Sequence, residues 1–358
     1  MRSMYTYIEQ APAIARDIIA HRDTLVGPLV EQFCAMAPKR LLIVASGSSY
    51  DIAMSMRPFM QQTLGIEVSV EWPMSYILYN HAQNDETFVL CMSQSGRSTN
   101  TIEAVRRAQA CGHHVAVLTC NPEAPMREYC EHVYAYGSGT EDYYVAKGFP
   151  TSCVYLALFA IEAARALDVR GADDCLALLS DVSAVVEDMD EVYRAARPFA
   201  EKHLDAFVDA RRIMCVGIGA GYGVALEGAL KLNEMIGVAA NAYEMEEFVH
   251  GPTYEIRRGH VVVLVDLGGP GHDRMMQLYR ALHVLTDEVY VIDAVGEGPA
   301  QFDERMFGLK PLAGCELDAP RAVIPFQVLA ESICSKLDLL SYNLSNLEFE
   351  KQIKNKAN

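Results

Sequence analysis

Positive charge is in short supply in this chain. It carries 30 Lys and Arg against 47 Asp and Glu, a formal net charge of −17 over 358 residues. So acidic a surface disfavours nucleic acid and anionic membranes, because binding to either rests on neutralising phosphates. Residues 1–36 are too short and too little basic for a DNA-binding head. A small anionic ligand stays open, since backbone N–H groups at a helix start hold it locally whatever the global charge. The ten cysteines include no Cys-x-x-Cys spacing and no neighbouring histidine cluster, which argues against a zinc site. Cys91, Cys153 and Cys215 lie inside apolar runs, where a thiol serves as a small core side chain. Apolar runs long enough to cross a bilayer are missing too: Cys153 to Leu167 is broken by Glu162 and Arg165. Met1 to Asp17 carries acids and no apolar core, so it does not read as a signal peptide. A dinucleotide fingerprint is incomplete, because Tyr222 stands where a third glycine would follow Gly217-x-Gly219. The expectation is a soluble, cytoplasmic, reduced protein without metal, and the 51% apolar content is enough for two packed domains.

What is there is a repeat. Leu41 to Tyr50 aligns with Ile213 to Tyr222, Val89 to Met92 with Val262 to Val265, and Val115 to Leu118 with Val289 to Ile292. Three strand-like runs recurring in order at nearly constant separation mark a duplication. The first copy predicts strands near 40–45, 67–71, 87–92, 114–119 and 132–136, with helices near 50–63, 99–111 and 150–168. The second predicts strands near 212–217, 261–266, 288–293 and 321–325. β-rich runs separated by amphipathic segments predict an α/β fold of two duplicated three-layer α-β-α domains, each with a parallel sheet. The domains are expected at 37–170 and 207–340. One or two helices occupy 1–36, helices over 171–206 link the halves, and 341–358 is a polar, lysine-containing tail, either disordered or closing over a site.

Ser93-Gln94-Ser95-Gly96-Arg97-Ser98 follows a strand and opens a helix. Gly96 permits a tight turn, Ser93, Ser95 and Ser98 offer hydroxyls, Gln94 an amide, and the helix start offers unpaired N–H groups. A phosphate fits that set, and so does plain helix capping. The copy separates the two. Asp266-Leu267-Gly268-Gly269-Pro270-Gly271 still turns, yet has no hydroxyl cluster and begins with an acid that repels phosphate. Turning therefore does not require the serines. Ser48 and Ser49, after the first strand, lie on the same sheet edge, as further ligand contacts or as caps.

Glu227, Lys231 and Glu234 fall on one face of a helix predicted over 222–236. A buried acid there has a raised pKa and serves as a base near neutrality. Glu234 is the better candidate, because Glu227 can pair with Lys231. His250, before Gly251-Pro252, is either structural or a second proton carrier, with Glu246 and Glu247 placed to orient it.

These motifs together resemble tandem sugar-isomerase (SIS) domain proteins. Glu227 to Glu234 followed by His250-Gly251-Pro252 is similar to the isomerase half of glucosamine-6-phosphate synthase, as are Glu9-Gln10-Ala11-Pro12, Gly139-Thr140-Glu141 and Val145-Ala146-Lys147-Gly148-Phe149. The resemblance implies the SIS fold and a 6-phosphosugar substrate. Ser48, Ser49, Ser93, Gln94, Ser95 and Ser98 would hold phosphate and sugar. Glu234 would shuttle a proton between C1 and C2, with Glu227 and Lys231 beside it, and His250 would assist ring opening from its own or a neighbouring subunit. It also implies a homodimer or higher homo-oligomer and no cofactor. Three departures stand out. The stretch before residue 40 is too short for the synthase's glutaminase domain, Asn343-Leu344-Ser345 leads to Asn346 where the family has a reactive lysine, leaving Lys351 or Lys354 as substitutes, and Arg97 replaces an acid, which favours an anionic or carboxylate-bearing substrate. Those differences resemble fructosamine-6-phosphate deglycases and SIS-type glucosamine-6-phosphate deaminases. The expected activity is release of hexose 6-phosphate and an amine; a plain aldose–ketose isomerase and a non-catalytic sugar-phosphate-binding regulator are the alternatives.

Overall fold

The structure is a computed structural model that describes residues 3–82, 86–296, 304–312, 314–339, 349 and 352–357. It divides into two units, one of residues 10–183 with the described tail residues, the other of residues 3–9 and 184–339. The division passes through two helices, Met4–Ala20 and Ala172–Val208.

The first unit holds a five-stranded sheet of β1 (Arg40–Val44), β2 (Glu67–Glu71), β3 (Thr87–Met92), β4 (His114–Thr119) and β5 (Val133–Ala135), in the order β2-β1-β3-β4-β5. All pairings are parallel. Parallel strands need crossovers, and the helices Ser48–Leu64 and Thr99–Ala110 supply two of them. Helices on the faces explain why β3 is buried at every residue and reads as an unbroken apolar run. The interrupted apolar stretch at 153–167 belongs to the helix Gly148–Ala166, buried from Gly148 through Ala164. Phe33 locks this layer by edge contacts with Phe88 and Phe159 at 5.3 and 5.1 Å. The N-terminal segment forms three helices rather than one or two: Met4–Ala20, Arg22–Leu25 and Gly27–Met36. Pro28 in the first turn of the last one begins it afresh.

The second unit repeats the plan with β6 (Arg212–Gly217), β7 (Ala240–Glu244), β8 (His260–Asp266), β9 (Val289–Asp293) and β10 (Met306–Gly308), ordered β10-β9-β8-β6-β7 and again parallel. Read from the β7 side, this is the order of the first sheet. The repeat extends to dihedral angles. The first crossover helix of each unit starts after a glycine of φ +57° (Gly47) or +56° (Gly219) and ends on a left-handed glycine of φ +67° (Gly65, Gly237). The fold is thus a duplicated α/β fold with two all-parallel sheets.

The strand expected at 321–325 is not formed. That segment belongs to Ala319–Ala322 and to Ile324–Lys336, which has Pro325 in its first turn and is buried from Ile324 to Cys334. A helix buried all round shows neither period, so its Val-Ile start passes for a core strand. The actual partners are β7 and β10, edge strands with few buried residues.

Arg321 is fully buried and pairs with Asp318 at 2.7 Å and with Asp188 at 2.8 Å. Burial pushes the Asp318 carboxyl up to about 6, although Arg321 pulls the other way. With the folded pKa above the unfolded one, the stabilisation from this group is full below the unfolded value near 3.8 and is lost as pH rises through 6. Asp318→Asn is expected to remove a pH-dependent loss on the order of 2–3 kcal/mol, seen as a flatter stability profile between pH 4 and pH 6.5 in denaturant unfolding of variant against wild type.

Candidate functional site

In open α/β sheets ligands sit beyond the carboxyl ends of the strands, where the strand order reverses. In the first unit that point lies between β1 and β3. β1 runs into Gly47, the cap position of the helix Ser48–Leu64, so Ser48 and Ser49 occupy the first turn itself, both buried. β3 runs into Ser93, buried, whose Oγ lies 3.2 Å from Ser98 Oγ. Ser98 caps Thr99–Ala110 by position, yet its side chain makes no capping bond. Plain capping therefore does not account for the Ser98 hydroxyl. Ser95 is exposed, and its Oγ accepts from Arg97 N–H at 3.3 Å. Asn100 donates to Ser46 Oγ at 3.1 Å and ties the two serine loops together.

Gly96 makes the turn at φ +65°. A Cβ there would lie 2.6 Å from Ala124 Cβ and 2.9 Å from Thr119 Oγ1. Gly96→Ala thus meets a left-handed backbone and a clash together. It is expected to destabilise this loop by ~1–2 kcal/mol with the fold retained, read as a lowered midpoint in a thermal melt of variant against wild type.

Two side chains of this loop bond to other parts of the protein. Gln94 Nε2 donates to Ser152 Oγ at 2.9 Å, and Cys120 Sγ donates to Gln94 Oε1 at 2.6 Å, one bond at each end of the amide. Arg97 donates through Nε to the carbonyl of Ala357 at 2.9 Å. The described tail residues pair with the loop: Ala357 N–H donates to Arg97 O at 2.7 Å, Thr99 N–H to Asn355 O at 3.1 Å, and Ser98 and Lys356 form an antiparallel bridge. Lys354 lies in this segment, exposed, while Lys351 falls outside the described residues. Of the two alternatives for the tail, disorder or closing over a site, these described residues lie against the serine loop.

The equivalent turn of the second unit is closed by its own acid. Asp266, buried, accepts from Gly268 N–H at 3.0 Å and lies 2.7 Å from His272 Nδ1. Burial raises its pKa, against the pull of Gly268 N–H and His272. A carboxylate thus stands at the head of this turn where the first unit has Ser93.

Glu227, Lys231 and Glu234 lie on the helix Ala220–Ile236. Glu227 and Lys231 are fully buried, whereas the Glu234 side chain is 37% exposed. Lys231 Nζ lies 2.6 Å from Glu234 Oε2 and 3.3 Å from Glu227 Oε1. Burial alone would lower the Lys231 pKa; the two carboxylates outweigh it and raise the group above the ordinary lysine range. Glu227 pairs with Lys231 as expected, but the same ammonium also serves Glu234 and lies nearer to it, and the fully buried acid is Glu227 rather than Glu234. Gly228 lets the helix Ile324–Lys336 pack close against this helix, since a Cβ there would be 2.7 Å from the Phe326 ring.

His250 ends the short helix Met245–Val249 and is exposed. The Glu246 carboxylate binds Arg274 at 2.5 and 3.2 Å and also feels the charge of His250. Among the described residues no group of three or more His, Cys, Asp or Glu is placed to hold a metal ion. Nor is any helix among them long and apolar enough to cross a membrane.

The duplicated sheets with a hydroxyl-lined switch point in one copy define a class of ligand-binding α/β protein. Residues 36–165 and 206–299 match the SIS domain, and the chain belongs to the SIS-domain family. It is 25% identical over 328 residues to the isomerizing glutamine–fructose-6-phosphate aminotransferase of Methanothermobacter thermautotrophicus, covering 91% of this chain and 53% of the relative. The chain thus spans about half the length of the curated relatives it matches. Among solved structures, a candidate phosphosugar isomerase of Clostridium difficile superposes with a TM-score of 0.88 at 22% identity, covering 99% of this chain and 98% of the other. Glucosamine-6-phosphate deaminase of Thermotoga maritima does so with a TM-score of 0.72 at 18% identity and 93% coverage of each.

Proposed function

We propose that this chain is a sugar-phosphate enzyme acting on an amino-linked hexose 6-phosphate, releasing hexose 6-phosphate and an amine. The observation that carries the reading is the ammonium of Lys231 held 2.6 Å from a partly exposed Glu234 carboxylate. The ammonium keeps that carboxylate in place, and its exposure leaves it able to meet substrate. Glu234 takes a proton from the carbon next to the imine or carbonyl carbon, giving an enolamine. The proton returns at the adjacent carbon, and water then adds as the amine leaves. Ser48, Ser49, Ser93, Ser95 and Ser98 hold the phosphate end, with N–H groups of the Thr99–Ala110 start adding partial positive charge. His250 assists ring opening in a homodimer. Relatives named for aminating fructose 6-phosphate and for deaminating glucosamine 6-phosphate support C–N chemistry on such a sugar.

The test is a panel of 6-phosphorylated glycated amino acids and glucosamine 6-phosphate, with free amine and hexose phosphate monitored. Release of both in equal amounts from at least one member is the expected result. Aldose–ketose interconversion without amine release would make the chain an isomerase, and no turnover of any 6-phosphosugar would remove the reading.

A further inference from the structure

We infer that Cys120 and Ser152 are positioning residues for the phosphate loop, acting through Gln94; the inference rests on the proposal that this loop takes a phosphate. Ser93 to Ser98 is held to the sheet by few main-chain bonds: Ser93 N–H to Leu118 O at 3.1 Å, Cys120 N–H to Gln94 O at 3.0 Å and Met126 N–H to Gly96 O at 3.1 Å. Most of its side chains bond to each other or to the tail, as Ser93 does to Ser98 and Arg97 to Ala357. Gln94 differs. Its amide spans from Cys120, just past β4, to Ser152, in the helix Gly148–Ala166, at 2.6 and 2.9 Å. Cys120 Sγ is itself steadied by Ser138 Oγ at 3.1 Å. Gly148 leaves room for the amide, since a Cβ there would come within 3.0 Å of Gln94 Oε1.

The thiol is suited to the task because it stays protonated. Burial pushes Cys120 up to about 11, so its S–H donates throughout the neutral range. The amide carbonyl, the thiol and the Ser152 hydroxyl form a neutral brace beside an anion site, so they add no charge to compete with phosphate. If the brace is lost, the donors facing the ligand scatter and binding weakens before chemistry does.

Isothermal titration with inorganic phosphate and with glucosamine 6-phosphate tests this, together with kinetics on whichever substrate the panel above identifies. Cys120→Ala is expected to weaken phosphate binding and raise KM by about five- to tenfold, the worth of one hydrogen bond, with kcat changed less than about twofold. Cys120→Ser, which keeps a donor, is expected to restore affinity to within about twofold of wild type. Equal weakening by Ala and Ser, unchanged affinity in the Ala variant, or a loss confined to kcat each overturns the inference. Should Cys120→Ala not fold, Ser152→Ala removes the other end of the brace and carries the same expectation; unchanged affinity there overturns it equally. A wild type that binds neither probe removes the phosphate reading and this inference with it, whereas a binding wild type with indifferent variants removes this inference alone.

Discussion

Glu234→Gln is expected to lower kcat by about 10²- to 10⁴-fold, the usual worth of a positioned acid–base group, while affinity for the 6-phosphosugar stays near wild type. The substitution keeps shape and an oxygen that still accepts from Lys231, whose Nζ lies 2.6 Å away in the native protein. What it removes is the ability to take a proton. Because Glu234 lies partly exposed at the end of a buried network, its loss leaves no empty volume in the core. A thermal melt should therefore show little change. Two measurements check the prediction: steady-state kcat, and exchange of the substrate's carbon-bound hydrogen with deuterated solvent. Both should fall together. Unchanged turnover would take Glu234 out of the mechanism, and lost affinity with intact kcat would make it a binding residue.

How much of this was legible in the sequence depends on where each residue gets its partners. β1, β3, β6 and β8 announce themselves because they are buried strands flanked by strands on both sides. The edge strands β7 and β10 were not read, although the equally exposed edge strands β2 and β5 were, and the buried helix Ile324–Lys336 mimicked one of the missing strands. The serine loop was readable because glycine and hydroxyl side chains act through local geometry. The fate of Gln94 and Arg97 was not, since it depends on Ser152, Cys120 and Ala357, brought in from elsewhere in the chain. Helical spacing showed that Glu227, Lys231 and Glu234 share a face, but both carboxylates are at allowed spacings from the lysine. Only burial ranks them. The acid at the head of the second turn was legible in the sequence, whereas its pairing with His272 required the folded turn.

Lys231→Met is expected to destabilise the protein by about 3–5 kcal/mol, the cost of leaving a buried charge without its partner. Methionine matches the lysine stem in size, so packing is nearly conserved and the electrostatic change dominates. Glu227 is fully buried beside the lysine, with Nζ at 3.3 Å, and would lose the cation that makes its ionised form tolerable there. Glu234 can turn to water; Glu227 cannot. The pH dependence follows from that asymmetry. In the variant, burial without a cation favours the protonated form of Glu227, raising its folded pKa above the unfolded value. Its contribution to stability is then present at low pH and lost as pH rises through the raised value. The deficit against wild type should accordingly be smaller at pH 5 than at pH 8 in denaturant unfolding. Adding Glu227→Gln should recover most of the loss, because the pair is then replaced by neutral groups rather than broken. A single variant as stable as wild type at pH 8, or a double variant no better than the single, would show that Lys231 is not what holds the Glu227 charge. Turnover gives a separate reading: with the ammonium gone, Glu234 loses the partner that fixes its position, so the double variant should regain stability without regaining activity.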